Sequence, residues 1–245
     1  DDYWGSKPKI AVIYAIGGTS MDDGIKARNL VKYVEAAMNS SNVKAIVLRV
    51  DSPGGDALAS DLIAEVLRKG KGKKPIIVSQ GYVAASGGYW LSMFADTIVA
   101  APNTITGSVG VIGSFMFNKT LKQDLGLSVD HVQKGKFADL GFGATLPLIG
   151  ISLPDRDFTD EELKMAETGI KTLYKGFVEK VALGRKKSFD DIEKIAQGRV
   201  WSGSDGLKNG LVDVLGGLDA AIKIALQKAN LTNSEYEIIE MPEPE

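Results

Sequence analysis

A serine set among glycines is the residue with the makings of a nucleophile. Ser86 lies in Tyr82-Val83-Ala84-Ala85-Ser86-Gly87-Gly88-Tyr89, between the apolar runs Pro75-Ile76-Ile77-Val78-Ser79 and Trp90-Leu91-Ser92-Met93-Phe94. A strand would deliver the chain to a small-residue turn, and a helix would leave from it. Ser86 would then stand at a helix N-terminus, where unpaired N–H groups and the helix dipole favour negative charge. With Ala85 and Gly87 as neighbours, a substrate backbone can come close. The Gly87 N–H could help hold the oxyanion that attack creates. The other reading of Ser86 is an ordinary helix cap, a position serine favours in any protein.

A second glycine turn gives the first a partner. Lys44-Ala45-Ile46-Val47-Leu48-Arg49-Val50 is short, apolar and β-branched, as a buried strand is. It runs into Asp51-Ser52-Pro53-Gly54-Gly55-Asp56, and a helical pattern follows over 57–68. Glycines let the backbone bend with positive φ and turn N–H groups outward. Two such turns at neighbouring strand ends could supply a nucleophile and its oxyanion donors, Gly54 or Gly55 with Gly87. Either glycine alone could equally mark an ordinary tight turn.

The elements needed to position these turns are legible around them. Strands are expected over 10–16, 45–50, 76–79 and 97–100, and helices over 25–38, 57–68 and 86–94. The alternation predicts an α/β fold with a mostly parallel sheet. The apolar, glycine-rich stretch 141–154 lacks periodicity and reads as a loop, either mobile or forming an interface, or else tucked onto the core. Thr159-Asp160-Glu161-Glu162 is a capping-box pattern opening a long helix to about residue 184. Leu163, Ala166, Ile170, Leu173, Phe177 and Val181 form a stripe on it expected to face the core. Ser188 is expected to cap a further helix. A helix over 218–229 and a strand over 236–241 complete the chain, with a frayed tail at 241–245.

Taken together, these motifs resemble bacterial signal peptide peptidase A, a serine protease family related to the Clp proteolytic subunit and the crotonases. The resemblance rests on Asp51-Ser52-Pro53-Gly54-Gly55 and Ala84-Ala85-Ser86-Gly87-Gly88-Tyr89. Thr106-Gly107-Ser108-Val109-Gly110-Val111, Ile195-Ala196-Gln197-Gly198-Arg199-Val200-Trp201-Ser202-Gly203 and Gly210-Leu211-Val212-Asp213-Val214-Leu215-Gly216 extend it. It runs from about residue 10 to 225, with the motifs in family order. It implies a Clp/crotonase-like fold of repeated strand-strand-helix turns with a helical C-terminal region. It also implies a peptidase domain over 10–229, an N-terminal extension over 1–9, and a C-terminal strand and tail over 230–245. The implied activity is Ser–Lys peptidase cleavage of signal peptide remnants at the bacterial cell envelope, in a homo-oligomer.

One position departs from the family. Its lysine base falls in a segment similar to Val132-Gln133-Lys134-Gly135-Lys136-Phe137-Ala138-Asp139, at a place held here by Ala138. Alanine accepts no proton. Long family members carry two tandem domains, one giving the serine and the other the lysine, and this chain resembles the C-terminal, serine-bearing copy. By the same resemblance Ser108 hydrogen-bonds the lysine.

Two residues of this chain could replace the missing base. Lys136 shares a face with Ala138 if the segment is extended, and otherwise is a solvated surface lysine. His131, the only histidine, shares its face with Val129 in an alternating run over 127–132, where a structural role is expected.

Composition narrows the remaining classes. With 44% hydrophobic and 24% charged residues, the 245-residue chain can bury one substantial core. A net charge of −2 with no basic stripe argues against nucleic acid. No apolar run is long enough to span a bilayer. The start at Asp1 suggests a processed or excised segment, with any anchor upstream. No cysteine is present, which excludes disulfides and a thiol nucleophile. One histidine and scattered carboxylates offer no metal site, and no phosphate or dinucleotide loop is present, so no cofactor is implied. Two other classes stay in view: a non-catalytic peptide-binding or assembly domain, and a crotonase-like enzyme acting on acyl-CoA thioesters.

Overall fold

A computed structural model describes residues 7–115, 120, 124, 126, 130, 132–141, 143–146, 151–154, 156–232 and 235–242. They form two compact units. Residues up to Gly110, together with those from Tyr174 onward, make the larger one, and Val111–Leu173 makes the smaller.

The larger unit begins with a βαβ series: β1 (Lys9–Ile16), α1 (Ala27–Asn39), β2 (Val43–Ser52), α2 (Ala57–Gly70), β3 (Ile76–Ala85), α3 (Gly87–Ser92), β4 (Thr97–Ala100) and β5 (Ile105–Gly107). In the smaller unit, β6 (Gly143–Leu146) and β7 (Ile151–Pro154) pair antiparallel. Within the stretch expected to be an irregular loop, residues 143–146 and 151–154 therefore form an antiparallel strand pair. A short glycine-bearing strand pair differs little in composition from a loop.

Then follow α4 (Asp160–Arg185), α5 (Phe189–Glu193), β8 (Val200–Ser202), α6 (Gly203–Asn209), β9 (Val214–Leu215), α7 (Leu218–Lys228) and β10 (Glu237–Met241). The C-terminal region is helical as expected, but it also returns three strands to the sheet. The sheet runs β10-β1-β2-β3-β4-β9, with β5 beside β3 and β8 beside β5. Every pairing in it is parallel except β5 with β8.

The central strands β1 to β4 are mostly apolar and buried because both faces of that part of the sheet are covered. Ile46, Leu48 and Val50 of β2 pack with Leu30 and Val34 of α1 and Ile63 and Leu67 of α2. Ala45 and Val47 of the same strand join Ala221 and Ala225 of α7 on the other face. Each fully buried Val, Leu or Ile side chain among them contributes roughly 1.5–3 kcal/mol. A separate cluster gathers Tyr89, Trp90 and Phe94 around Phe177, Val178 and Val181 of α4. There the Trp90 and Phe177 rings stack at 4.1 Å.

Only part of the α4 stripe enters a core. Phe177 and Val181 are buried, whereas Leu163 and Leu173 are 40% and 48% exposed. Periodicity identified an apolar face but not what covers it. The Thr159–Glu162 capping box forms as expected, with the Thr159 N–H donating to Glu162 Oε2 at 2.8 Å and the Glu162 N–H to Thr159 Oγ1 at 3.3 Å. Arg156 forks onto Glu162 and Asp139. The Arg156 guanidinium and the Thr159 N–H hold the Glu162 carboxyl down at about 2.

Candidate active site

The site is built where β3 changes partner. Residues Ile77–Gln80 pair with β4, and Val83–Ala85 pair with β5. Between them β3 bulges against β2, since Val50 faces Gln80 but Ser52 faces Ala84. Asp51 fills the bulge, its carboxylate accepting from the N–H groups of Tyr82 (3.3 Å) and Val83 (3.1 Å). A Cβ on Gly81 would lie 2.6 Å from Asp51 Oδ2, so a side chain there would displace the carboxylate. The bulge redirects β3 toward β5 and delivers Ser86 to the sheet edge.

Ser86 is held in a strained backbone conformation, φ 53° and ψ −119°. Its N–H donates to the Gly107 carbonyl at 2.9 Å, and its carbonyl accepts the first helical bond from Trp90 N–H at 2.9 Å. Its side chain makes no capping hydrogen bond to α3. The helix-cap reading of Ser86 is therefore corrected: it occupies the cap position without capping. A non-glycine residue at positive φ costs about 1–3 kcal/mol and persists where its surroundings enforce it.

The two glycine turns interlock. A Cβ on Gly54 (φ 99°) would sit 2.6 Å from Gly87 N and 2.8 Å from Ser86 Cβ. One on Gly88 would collide with the Ser52 carbonyl. Ser52 Oγ accepts the Gly54 N–H at 3.1 Å, so that donor is engaged. The N–H groups of Gly55 and Gly87 take no acceptor among the described residues. Of Gly54 and Gly55, Gly55 is thus the one whose donor is open. Replacing Gly54 by alanine is expected to destabilise the protein by roughly 1–3 kcal/mol, from strained φ and the clash with Gly87. Chemical denaturation measures this, and an unchanged midpoint would show that the turns are not in contact.

Ser108 also has positive φ, 49°, and its N–H donates to the Arg199 carbonyl at 2.8 Å. Because Ala85 is in register with Gly107, Ser108 follows β5 as Ser86 follows β3.

Two residues of this site escaped the sequence reading. Thr19 and Ser60 are buried behind the glycines with their hydroxyls 3.1 Å apart. The signal was there: Ile16-Gly17-Gly18-Thr19 is a third glycine turn at a strand end.

Comparison with known proteins identifies the family. Residues 68–232 match the model of peptidase family S49. The chain belongs to peptidase family S49. A chloroplastic serine protease SPPA of Arabidopsis thaliana is 37% identical over 249 residues, covering 98% of this chain and 35% of that protein. Protease 4 of Salmonella typhi is 38% identical over 227 residues, covering 91% of this chain and again 35% of the relative. The chain thus spans about a third of either. A Methanocaldococcus jannaschii protein named as a protease is 35% identical, with 93% of this chain matched to 73% of it. Among solved structures, a ClpP1 mutant from Listeria monocytogenes superposes with a TM-score of 0.57 at 15% identity, over 86% of this chain and 94% of that one. The Clp-like fold expected for an S49 member is therefore present.

Ala138, where the sequence resemblance implies a lysine in other family members, lies in the smaller unit. Ala138 is exposed in a turn, its N–H reaching back to the Gly135 carbonyl at 3.4 Å. Lys136 is exposed and ion-paired with Glu161. His131, with the strand expected around it, lies outside the described residues. Near Ser86, Tyr89 is buried and its hydroxyl donates to the Leu211 carbonyl at 3.0 Å. Burial pushes its phenol well above the usual tyrosine range, so it stays protonated and offers no base.

Proposed function

We propose that this chain is the serine-bearing part of an S49 peptidase that uses a Ser–Lys dyad, the lysine coming from another domain. The observation that carries this is the strained Ser86 between the open Gly55 and Gly87 N–H groups. In this reading Ser86 Oγ attacks the peptide carbonyl while a neutral lysine takes its proton. Gly55 and Gly87 donate to the oxyanion, which collapses to an acyl-enzyme as the protonated lysine gives its proton to the leaving amine. Water, deprotonated by the same lysine, then releases the acyl group. Burial among apolar groups would keep that lysine neutral, and Ser108 would orient it.

The substrates proposed are cleaved signal peptides, bound extended through backbone pairing. Residues 10–229 would form the peptidase domain, working in a homo-oligomer at the bacterial cell envelope. Attachment to the membrane through a segment outside this chain is part of the proposal; no helix among the described residues is long and apolar enough to cross a membrane. Ala138 favours a second reading, a non-catalytic peptide-binding domain of the same family.

A fluorophosphonate probe separates the two. We expect Ser86 to be labelled when a lysine-bearing S49 domain is present and barely without it. Failure to label with any such partner would favour the binding domain.

A further inference from the structure

We propose that Thr19, backed by Ser60, is the positioning residue that sets the distance between the two oxyanion donors. The inference rests on the peptidase reading above and names a part of the site that the reading does not require.

Thr19 is the residue that meets both glycines. Its backbone brackets Gly55: the Thr19 N–H donates to the Gly54 carbonyl at 2.9 Å, and the Asp56 N–H donates to the Thr19 carbonyl at 2.8 Å. Those two bonds fix the peptides on either side of Gly55 and leave the Gly55 N–H unpaired. A Cβ on Gly55 would collide with the Thr19 carbonyl and lie 2.9 Å from Thr19 Oγ1. The same Oγ1 faces the other turn, where a Cβ on Gly87 would lie 2.7 Å from it and 2.5 Å from Ser60 Oγ.

Ser60 holds that hydroxyl in place. Its Oγ lies 3.1 Å from Thr19 Oγ1 and 2.8 Å from the Asp56 carbonyl, so it is anchored to the turn that precedes α2. Thr19 is 3% exposed and Ser60 fully buried, so neither hydroxyl exchanges its partner for bulk water. The pair forms a rigid polar spacer between Gly55 and Gly87. Asp56 caps α2 through the Ala59 N–H at 2.8 Å, which ties the spacer to a regular helix.

An oxygen is needed at this place because of its size. A Cα–H can approach a hydroxyl oxygen at about 3.3–3.6 Å, whereas two carbons settle at about 3.5–4.0 Å. Putting a methyl where Thr19 Oγ1 stands would push Gly87 away from Gly55 by a few tenths of an ångström. Oxyanion donors tolerate displacements of about 0.5 Å at most. The effect falls on the transition state, because the ground-state carbonyl oxygen does not occupy the hole.

The test uses this chain assembled with a lysine-bearing S49 domain and a fluorogenic peptide, comparing Thr19→Val with Thr19→Ser. For Thr19→Val we expect kcat to fall by about 10–100-fold with KM within about twofold, and affinity for a peptide boronate to fall in step with kcat. Thr19→Ser, which keeps the oxygen, should stay within about threefold of the parent. If Thr19→Val does not fold, Ser60→Ala replaces it, with a kcat loss again larger than any change in KM. A folded Thr19→Val at parental kcat overturns the proposal, and so does a Thr19→Ser that loses as much as Thr19→Val. Failure of the peptidase reading would look different: Ser86→Ala would keep the parental turnover.

Discussion

Ser86→Ala is expected to lower peptide hydrolysis by about 10⁵-fold or more while leaving the fold intact, the scale seen when a serine peptidase loses its nucleophile. The small stability cost follows from the geometry. Ser86 makes no capping hydrogen bond, so its removal does not forfeit the roughly 1 kcal/mol that a lost cap costs. Alanine meets the same strain at φ 53° as serine does, since both carry a Cβ there. The bonds that hold the residue, to the Gly107 carbonyl and from the Trp90 N–H, belong to the backbone and survive. We therefore expect a denaturation midpoint within about 0.5 kcal/mol of the parent, as for substitutions away from packing and hydrogen-bonding features. Turnover retained in Ser86→Ala protein free of contaminating peptidase would remove the nucleophile assignment. A large loss of stability would instead show that the hydroxyl has a structural role.

Much of the scaffold could be read from the chain because its central strands, β1 to β4, are buried on both faces. Runs such as Ala45-Ile46-Val47-Leu48 have no polar side to confuse with a helix, and the glycine turns after them mark where each ends. Caps were equally plain: Thr159 and Ser188 both donate or accept where a helix start requires it. What stayed hidden depends on distant partners. The bulge at Gly81 exists because Asp51, 30 positions earlier, places a carboxylate against it. Whether Leu163 or Phe177 is covered depends on what packs against α4, which a periodic stripe does not encode. For the site, the sequence pointed to Ser86, Gly54, Gly55 and Gly87, which the fold brings together. It could not reveal that Ser52 engages the Gly54 donor and leaves Gly55 open. Thr19 was missed although Gly17-Gly18 marks a turn beside it, because the groups it meets, Gly55, Ser60 and Gly87, lie far along the chain.

The chain by itself is expected to hydrolyse a small fluorogenic peptide about 10²–10⁴-fold more slowly than an assembly that includes a lysine-bearing S49 domain, the range a general base contributes. A serine hydroxyl is a poor nucleophile at neutral pH and needs an acceptor within about 3 Å. Ala138 has none, and Lys136 is exposed, with its ammonium ion-paired to Glu161. Tyr89 is held protonated by burial. Lys136→Ala and His131→Ala are accordingly expected to leave the low activity of the isolated chain unchanged. Adding the lysine-bearing domain should restore turnover, and Ala138→Lys should restore part of it if the turn presents that side chain as the family does. The contrary result is equally definite. Strong turnover by the isolated chain that vanishes in Lys136→Ala would place the base within this chain, two residues from where the family keeps it, and the second domain would then serve substrate binding or assembly rather than proton transfer.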